Sequence, residues 1–257
     1  MPAPRVIVTR PVREAARWIE LLRNAGLDAQ GLPLIEIAPV TDHTALDAAR
    51  RNAGSYAALM FVSAAAATHF FDGADAPATG PQPRCWATGP GTVRALQQSG
   101  VAASRIDAPG VEAEQFDSEA LWARVHTQVY AGVRVLIVRG GDAAGQPAGR
   151  AWLAHEIAAA GGVCDTVVAY RRLAAPMDAP RRALAELGVR GEAIWLFSSS
   201  EAIAHLRDAL PGRRWAAARA IATHPRIAEA ARDAGFGMVR VASPEPDALI
   251  ASIESFA

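Results

Sequence analysis

The sequence has few cysteines and no long apolar run, and these absences narrow the class of protein. Cys85 and Cys164 are its two cysteines and form no CxxC pair, so a disulfide framework is not expected. No uninterrupted apolar stretch approaches the roughly 18 residues of a membrane helix. The opening residues also lack the apolar core of a signal peptide. We therefore expect a cytoplasmic protein with no membrane partner.

The sequence also carries no formal net charge, because its 26 basic side chains balance its 26 acidic ones. Nucleic acids and anionic membranes attract basic proteins, so this balance argues against nucleic acid as a general partner. A local basic cleft is compatible with zero net charge. The chain has 257 residues and 51% hydrophobic content, which suits one large domain or two small ones with a buried core.

Several cofactor and catalytic motifs are absent. No GxGxxG follows a strand, no GK[ST] follows the glycine-rich stretch 140–149, and no GxSxG is present. The six histidines show neither HExxH nor another paired ligand spacing, so we expect no metal and no cofactor. For His69 and His205, surface or packing roles are the default interpretation.

The chain does contain a recurring unit: a short apolar run, a small polar turn and an amphipathic stretch. VIVTRP (6–11), ALMFVS (58–63) and IWLFSSS (194–200) each begin such a unit. Runs this short, apolar and β-branched suit parallel strands that are buried on both faces. Strands that alternate with helices predict an α/β fold.

An internal repeat predicts two similar lobes. ATGPGTVRALQQSG (87–100) and ATHPRIAEAARDAG (222–235) share Ala-Thr-x-Pro and a closing glycine at equal length. Chance similarity between short strand–helix units is the alternative interpretation.

Two extended runs with prolines near their ends, 32–40 and 166–176, do not fit the repeating unit and predict crossings between the lobes. The predicted fold is therefore two α/β lobes with parallel sheets flanked by helices, joined by a two-stranded antiparallel ladder. The predicted bounds are 1–35 with 175–257 for the discontinuous first lobe, 41–165 for the inserted lobe, and 36–40 with 166–174 for the crossing strands.

Polar turns after the predicted strands point to a binding edge, because ligands of parallel sheets bind at the strand carboxyl ends. Each turn precedes a helix, whose free N–H groups and positive dipole end attract carboxylates and phosphates. Ordinary helix capping is the alternative for any single Ser or Thr. The candidate substrate-binding residues are Thr9, Arg10, Ser63, Thr88, Gly89, Thr92, Arg139, Gly140, Ser198, Ser199, Thr223 and His224.

Tyr170 lies on the second crossing run and is the candidate catalytic residue. A neutral phenol of pKa ~10 donates a hydrogen bond at pH 7 and can assist a leaving hydroxyl. The alternative is an apolar hinge residue whose hydroxyl reaches solvent.

Taken in order, these motifs resemble the uroporphyrinogen-III synthase family over essentially the whole chain. The resemblance rests on a Thr-Arg-Pro strand end at 9–11, the Pro-Leu-Ile of 33–35, Phe61-Val62-Ser63, the turn 88–93, Arg139-Gly140, the Tyr170-Arg171 strand, Phe197-Ser198-Ser199 and the turn 223–228. Val62 stands where the family usually has Thr, and Ala64-Ala65 where Pro-Asn is common.

The resemblance implies an enzyme with substrate in a cleft: a cyclising hydro-lyase of tetrapyrrole and haem biosynthesis. Its substrate would be hydroxymethylbilane, a linear tetrapyrrole with eight carboxylates. Loss of the hydroxyl gives an azafulvene cation, and closure through a spiro intermediate inverts ring D to give uroporphyrinogen III. The family needs no cofactor or metal, and a cleft within one chain favours a monomer. The open alternatives are a bilobed binding or sensor module for anionic metabolites and a catalytically weakened relative.

Overall fold

A computed structural model describes residues 4–72, 82–110, 113 and 116–256 of the chain. The helices are α1 (Val12–Asn24), α2 (Thr44–Arg51), α3 (Ala64–Phe71), α4 (Pro90–Gln98), α5 (Ser118–Val125), α6 (Trp152–Ala159), α7 (Ala179–Val189), α8 (Ser200–Ala209), α9 (Pro225–Asp233) and α10 (Pro246–Glu254). The strands are β1 (Arg5–Val8), β2 (Asp28–Gly31), β3 (Ile35–Pro39), β4 (Ala58–Phe61), β5 (Arg84–Ala87), β6 (Ile106–Asp107), β7 (Arg134–Gly141), β8 (Val163–Ala174), β9 (Ile194–Phe197), β10 (Arg219–Ala222) and β11 (Met238–Val241).

The chain divides into two units. The first combines Met1–Glu36 with Leu173–Ala257, and the second is Ile37–Arg172. The chain therefore passes between the units inside β3 and again near the end of β8. In the described ranges no helix combines the length and apolar character needed to cross a membrane.

The sheet of the second unit has six strands in the order β3-β8-β7-β4-β5-β6. The pairs from β8 to β6 are all parallel. The sheet contains one antiparallel pair, which is therefore the remaining pair, β3 with β8. This arrangement confirms the predicted fold class. The strand β8 begins at Val163, three residues before the start of the predicted crossing strand, and its first nine residues extend the parallel sheet beside β7.

Helices cover both faces of this sheet, and successive strand residues alternate between them. Leu59 and Phe61 of β4 belong to the apolar cluster that contains α3 and α4 residues, whereas Ala58 and Met60 belong to the cluster that contains α5 and α6 residues. All four residues of β4 are buried. Burial on both faces explains why the run is apolar without alternation.

The first unit holds a five-stranded parallel sheet in the order β11-β10-β9-β1-β2. The same arrangement runs through β6-β5-β4-β7-β8 of the other sheet. The repeat seen in the sequence corresponds to this shared order, since β5 with α4 and β10 with α9 occupy equivalent positions.

Aromatic rings pack together on one face of the five-stranded sheet of the first unit. Trp195 and Phe197 of β9 stack at a centroid distance of 5.7 Å, and Trp215 and Phe236 stack at 5.0 Å. Gly188 of α7 lies directly against this cluster, because an added Cβ would overlap the indole ring of Trp195. The absence of a side chain at position 188 is therefore a packing requirement.

We predict that Gly188→Ala destabilises the protein by about 1–3 kcal/mol, because overpacking a filled core displaces buried rings. Gly91→Ala is the matched control. Its added Cβ would approach nothing closer than 3.9 Å, and alanine suits a helix better than glycine. Urea unfolding followed by circular dichroism measures both changes. A Gly188→Ala protein that unfolds at the wild-type midpoint would contradict this packing account.

Candidate functional site

Four neighbouring strands of the six-stranded sheet present polar or charged residues at or near their carboxyl ends. In sheet order these are Tyr170 on β8, Arg139 on β7, Ser63 after β4 and Thr88 after β5. Adjacent strands lie about 4.8 Å apart, so the sheet brings side chains from distant parts of the sequence to one edge. The edge predicted from the sequence is present in this unit.

The Tyr170 ring is buried, with 3% of the residue exposed. Its phenol oxygen lies 3.1 Å from the Ser63 hydroxyl oxygen, within hydrogen-bond distance. The Ser63 oxygen also accepts the Ala66 N–H at 3.1 Å and so caps α3. The phenol is therefore tied to the start of a helix, in a position from which bulk water is largely excluded.

A β-bulge determines where Tyr170 lies. Arg139 pairs with Val168, but the next residue, Gly140, pairs with Tyr170, so Ala169 is an extra residue in β8. Such a bulge redirects the side chains that follow it. A Cβ on Gly140 would lie 2.6 Å from the ring carbon that carries the Tyr170 hydroxyl. The ring therefore occupies the space that any other residue at 140 would fill.

Arg139 is 9% exposed and is covered by the loop that follows β7. One terminal nitrogen donates to the Arg150 carbonyl at 3.2 Å, while Nε has no hydrogen-bond partner within the described residues. Burial lowers the pKa of Arg139, and the nearby Tyr170 opposes that shift. An arginine side chain nevertheless stays protonated at neutral pH. The edge thus holds a poorly solvated cation close to the phenol.

The remaining candidates of this unit, Thr88, Gly89 and Thr92, surround the start of α4. The Thr88 hydroxyl donates to the Val62 carbonyl at 3.2 Å. Gly89 is the residue before the helix, and Thr92 is a buried residue of its first turn. These contacts connect the β5 end to the β4 end, and a role for the three residues in substrate binding stays a prediction.

The first unit contains a second charged strand end, formed by Thr9 and Arg10. Thr9 is 1% exposed, and its hydroxyl donates to the Leu196 carbonyl at 2.7 Å. The Arg10 side chain is 16% exposed; it pairs with Glu14 at 3.1 Å and lies 4.7 Å from the Trp18 ring centre. Within the described chain its Nε has no hydrogen-bond partner. Burial lowers the pKa of Arg10, and Glu14 opposes that shift.

The other candidates of the first unit lie beside Thr9 at the ends of β9 and β10. Ser198 follows β9, and Ser199 is the N-cap residue of α8. Thr223 follows β10, and His224 caps α9 through Nδ1, which accepts the Arg226 N–H at 3.1 Å. The sheet order β10-β9-β1 makes these three ends neighbours. Their part in substrate binding also stays a prediction.

Neither cysteine has the properties of a nucleophile. Burial raises the pKa of Cys85 and of Cys164 to about 11, so both thiols stay protonated at neutral pH. Among the residues that the structure describes, no group of three or more His, Cys, Asp or Glu side chains is placed to hold a metal ion.

Arginine supplies every basic side chain, because the sequence contains no lysine. The planar guanidinium group matches a carboxylate with two parallel hydrogen bonds. Arg10 and Arg139, at equivalent strand ends of the two sheets, are therefore suited to bind carboxylates. The sequence predicted both positions but neither their burial nor the bulge.

Comparison with known proteins gives a consistent result. The family model described as uroporphyrinogen-III synthase HemD matches residues 16–251. The search of curated proteins found no match. The crystal structure of uroporphyrinogen-III synthetase from Helicobacter pylori is 14% identical, with 99% of this chain and 100% of that chain covered and a TM-score of 0.60. A mutant uroporphyrinogen III synthase from Thermus thermophilus is 17% identical, with 99% and 97% covered and a TM-score of 0.57.

The two solved structures share the fold, and the family model spans most of the chain. Together they confirm the resemblance drawn from the ordered motifs of the sequence. The chain belongs to the uroporphyrinogen-III synthase family, whose members are cyclising lyases of tetrapyrrole biosynthesis.

Proposed function

We propose that the chain converts hydroxymethylbilane to uroporphyrinogen III, with Tyr170 as the proton donor to the departing hydroxyl. The family match over residues 16–251 supports the reaction. The observation that carries the role of Tyr170 is its phenol oxygen, 3.1 Å from Ser63 and against Gly140 at the sheet edge. The phenol is the acid proposed for this edge because a phenol gives up a proton more readily than the aliphatic hydroxyls of Ser63 and Thr88, and the arginines hold their protons.

In the proposed reaction Tyr170 gives up one proton and later takes one back. Tyr170 gives its proton to the leaving hydroxyl, which departs as water and leaves an azafulvene cation on the substrate. The cation attacks the substituted carbon of ring D, and fragmentation and reclosure invert that ring. The unsubstituted carbon of ring D, which forms the final bond on reclosure, loses its proton, and that proton returns to the phenolate. Arg139 stabilises that phenolate in the interval, because a nearby cation in a poorly solvated site favours the charged form.

Carboxylate binding is the second part of the proposal. Arg139 and Arg10 each have a buried Nε without a hydrogen-bond partner among the described residues. A carboxylate that binds the terminal nitrogens of either guanidinium group gains a charge-assisted hydrogen bond worth about 1.5–3 kcal/mol. The helix starts at Ser63, Gly89, Ser199 and His224 add neutral N–H donors. Each carboxylate bound in this way restricts the flexible linear substrate, and inversion of ring D on closure depends on how the substrate ends are positioned.

We also propose that the enzyme acts in the cytoplasm as a monomer. Both cysteines are free thiols, which suits a reducing compartment. The phenol, its serine partner and both arginines all come from one chain, so the proposed chemistry needs no second copy.

The proposed reaction makes a prediction about the product isomer. Incubation with hydroxymethylbilane, oxidation and chromatographic separation should give isomer III for the wild-type protein, since uncatalysed closure gives isomer I. Tyr170→Phe should lower kcat by about 100-fold with little change in KM, because general acid catalysis is lost while binding is kept. Isomer I should then become the main product.

Tyr56→Phe is the matched control for Tyr170→Phe. It removes a hydroxyl from the same unit, but that hydroxyl bonds Asp165 at 3.0 Å and Tyr56 precedes the amino end of β4. We expect wild-type activity from it. If the wild-type protein gave isomer I alone, the proposed reaction would be overturned. That result is the one expected of a binding module without turnover. Wild-type turnover by Tyr170→Phe would overturn only the role of the phenol.

A further prediction concerns substrate binding. Arg139→Gln should raise KM by about tenfold, since one charge-assisted hydrogen bond is worth about 1.5–3 kcal/mol, and it should also lower kcat, because the phenolate loses its nearby cation. Arg134→Gln is the control, because Arg134 lies at the opposite end of the same strand and pairs with Asp165 at 2.6 Å. Steady-state kinetics of both variants decide the matter, and an unchanged KM for Arg139→Gln would remove Arg139 from the binding site.

A further inference from the structure

The helix α3, whose N-cap residue Ser63 contacts the Tyr170 hydroxyl, also contacts Tyr170 through His69. The imidazole ring of His69, on α3, stacks on the Tyr170 ring with centroids 5.7 Å apart and planes 27° apart. Side chains of a helix tilt toward its N-terminus, which brings His69 back toward the turn that Ser63 caps. The same helix therefore holds the hydroxyl end of the phenol at Ser63 and the ring at His69.

The backbone of His69 is itself held in place. Arg50 of α2 donates to the carbonyls of His69 at 2.7 Å and Phe70 at 2.8 Å, at the C-terminal end of α3. Arg50 also pairs with Asp47 at 2.8 Å, and the Phe70 ring is buried in the core. The imidazole is thus attached to a helix fixed at both ends, which makes it a rigid support for the phenol ring.

We propose that His69 is a positioning residue for Tyr170, holding the plane of the ring so that the hydroxyl stays beside Ser63 and Gly140. The inference rests on the proposed function, because positioning has a kinetic effect only if Tyr170 acts on the substrate. It assigns to His69 the ring contact alone, with no proton transfer. The default interpretation of His69 as a packing residue is thereby extended to a role in catalysis.

The test compares three side chains at position 69. His69→Ala should lower kcat by about tenfold with KM within about twofold, because small misplacements of a reacting group slow the chemical step. His69→Phe keeps a flat ring without ring nitrogens and should restore kcat to near the wild-type value. Loss of kcat in both variants would overturn the inference, since it would assign the effect to the ring nitrogens. Wild-type kcat in His69→Ala would overturn it as well.

Two controls separate positioning from general damage. His126→Ala removes another imidazole of the same unit, one that lies 6.2 Å from the Trp122 ring and on the exposed surface, and it should leave kcat unchanged. Thermal unfolding monitors the fold of every variant. If His69→Ala unfolds at a clearly lower temperature, His69→Leu takes its place, with bulk but no flat ring and the same expected loss of kcat.

A spectroscopic readout is independent of activity. The chain has three tyrosines, so ring-labelled tyrosine gives three sets of NMR signals. One set should shift in His69→Ala, because the ring current of the imidazole is lost, and the same set should disappear in Tyr170→Phe. No shift in His69→Ala would overturn the inference. Isomer I alone from the wild-type protein, with the shift still present, would instead show that the proposed function had failed.

Discussion

A phenol can lie at the carboxyl end of β7 only because residue 140 has no side chain. Gly140 faces Tyr170 across the β7–β8 pair, after a bulge that inserts Ala169. The bulge redirects Tyr170, and the glycine gives its ring room at the sheet edge. The Ser63 contact, the His69 stack and the proximity of Arg139 all depend on the ring occupying that space. One strand irregularity and one glycine therefore determine the geometry proposed for catalysis.

The net charge of the chain differs from the local charge at its strand ends. The chain carries no net charge, with 26 basic and 26 acidic side chains, yet the substrate that we propose for it has eight carboxylates. Arg10 and Arg139 are largely buried cations at equivalent ends of two similar sheets, and we propose that they and the neighbouring helix starts bind carboxylates. A weakly solvated guanidinium group binds a carboxylate more strongly than an exposed one, because less water must be displaced and the local dielectric constant is lower. Zero net charge is therefore compatible with an anionic substrate.

The sequence predicted what depends on local pattern. The apolar runs of β1, β4 and β9 and the turns after them were correctly placed, because strands buried on both faces leave a distinct composition. It missed β2 (Asp28–Gly31), which has Ala29 as its one apolar side chain, because that strand lies at a sheet edge and is defined by its pairing with β1. It also missed β6, which is only two residues long.

Contacts between residues far apart in the sequence could not be predicted from local sequence patterns. Ser63 and Tyr170 are 107 residues apart, and their hydrogen bond follows from sheet order and from the bulge, neither of which has a local signature. The loop that covers Arg139 is equally hidden, since Gly149 and Arg150 contact a guanidinium group from the preceding strand. The candidate residues could be named from their position after strands, whereas their partners required the three-dimensional structure.

Gly140 is expected to act through Tyr170, and a double-mutant cycle measures the coupling between the two positions. The measurement is kcat for formation of isomer III in Gly140→Ala, Tyr170→Phe and the double variant, with thermal unfolding of each as the check on folding. Gly140→Ala should lower kcat by at least about tenfold in the wild-type background and should have no further effect once the phenol hydroxyl is gone. Equal losses in both backgrounds would show that Gly140 acts independently of Tyr170 and would contradict the account.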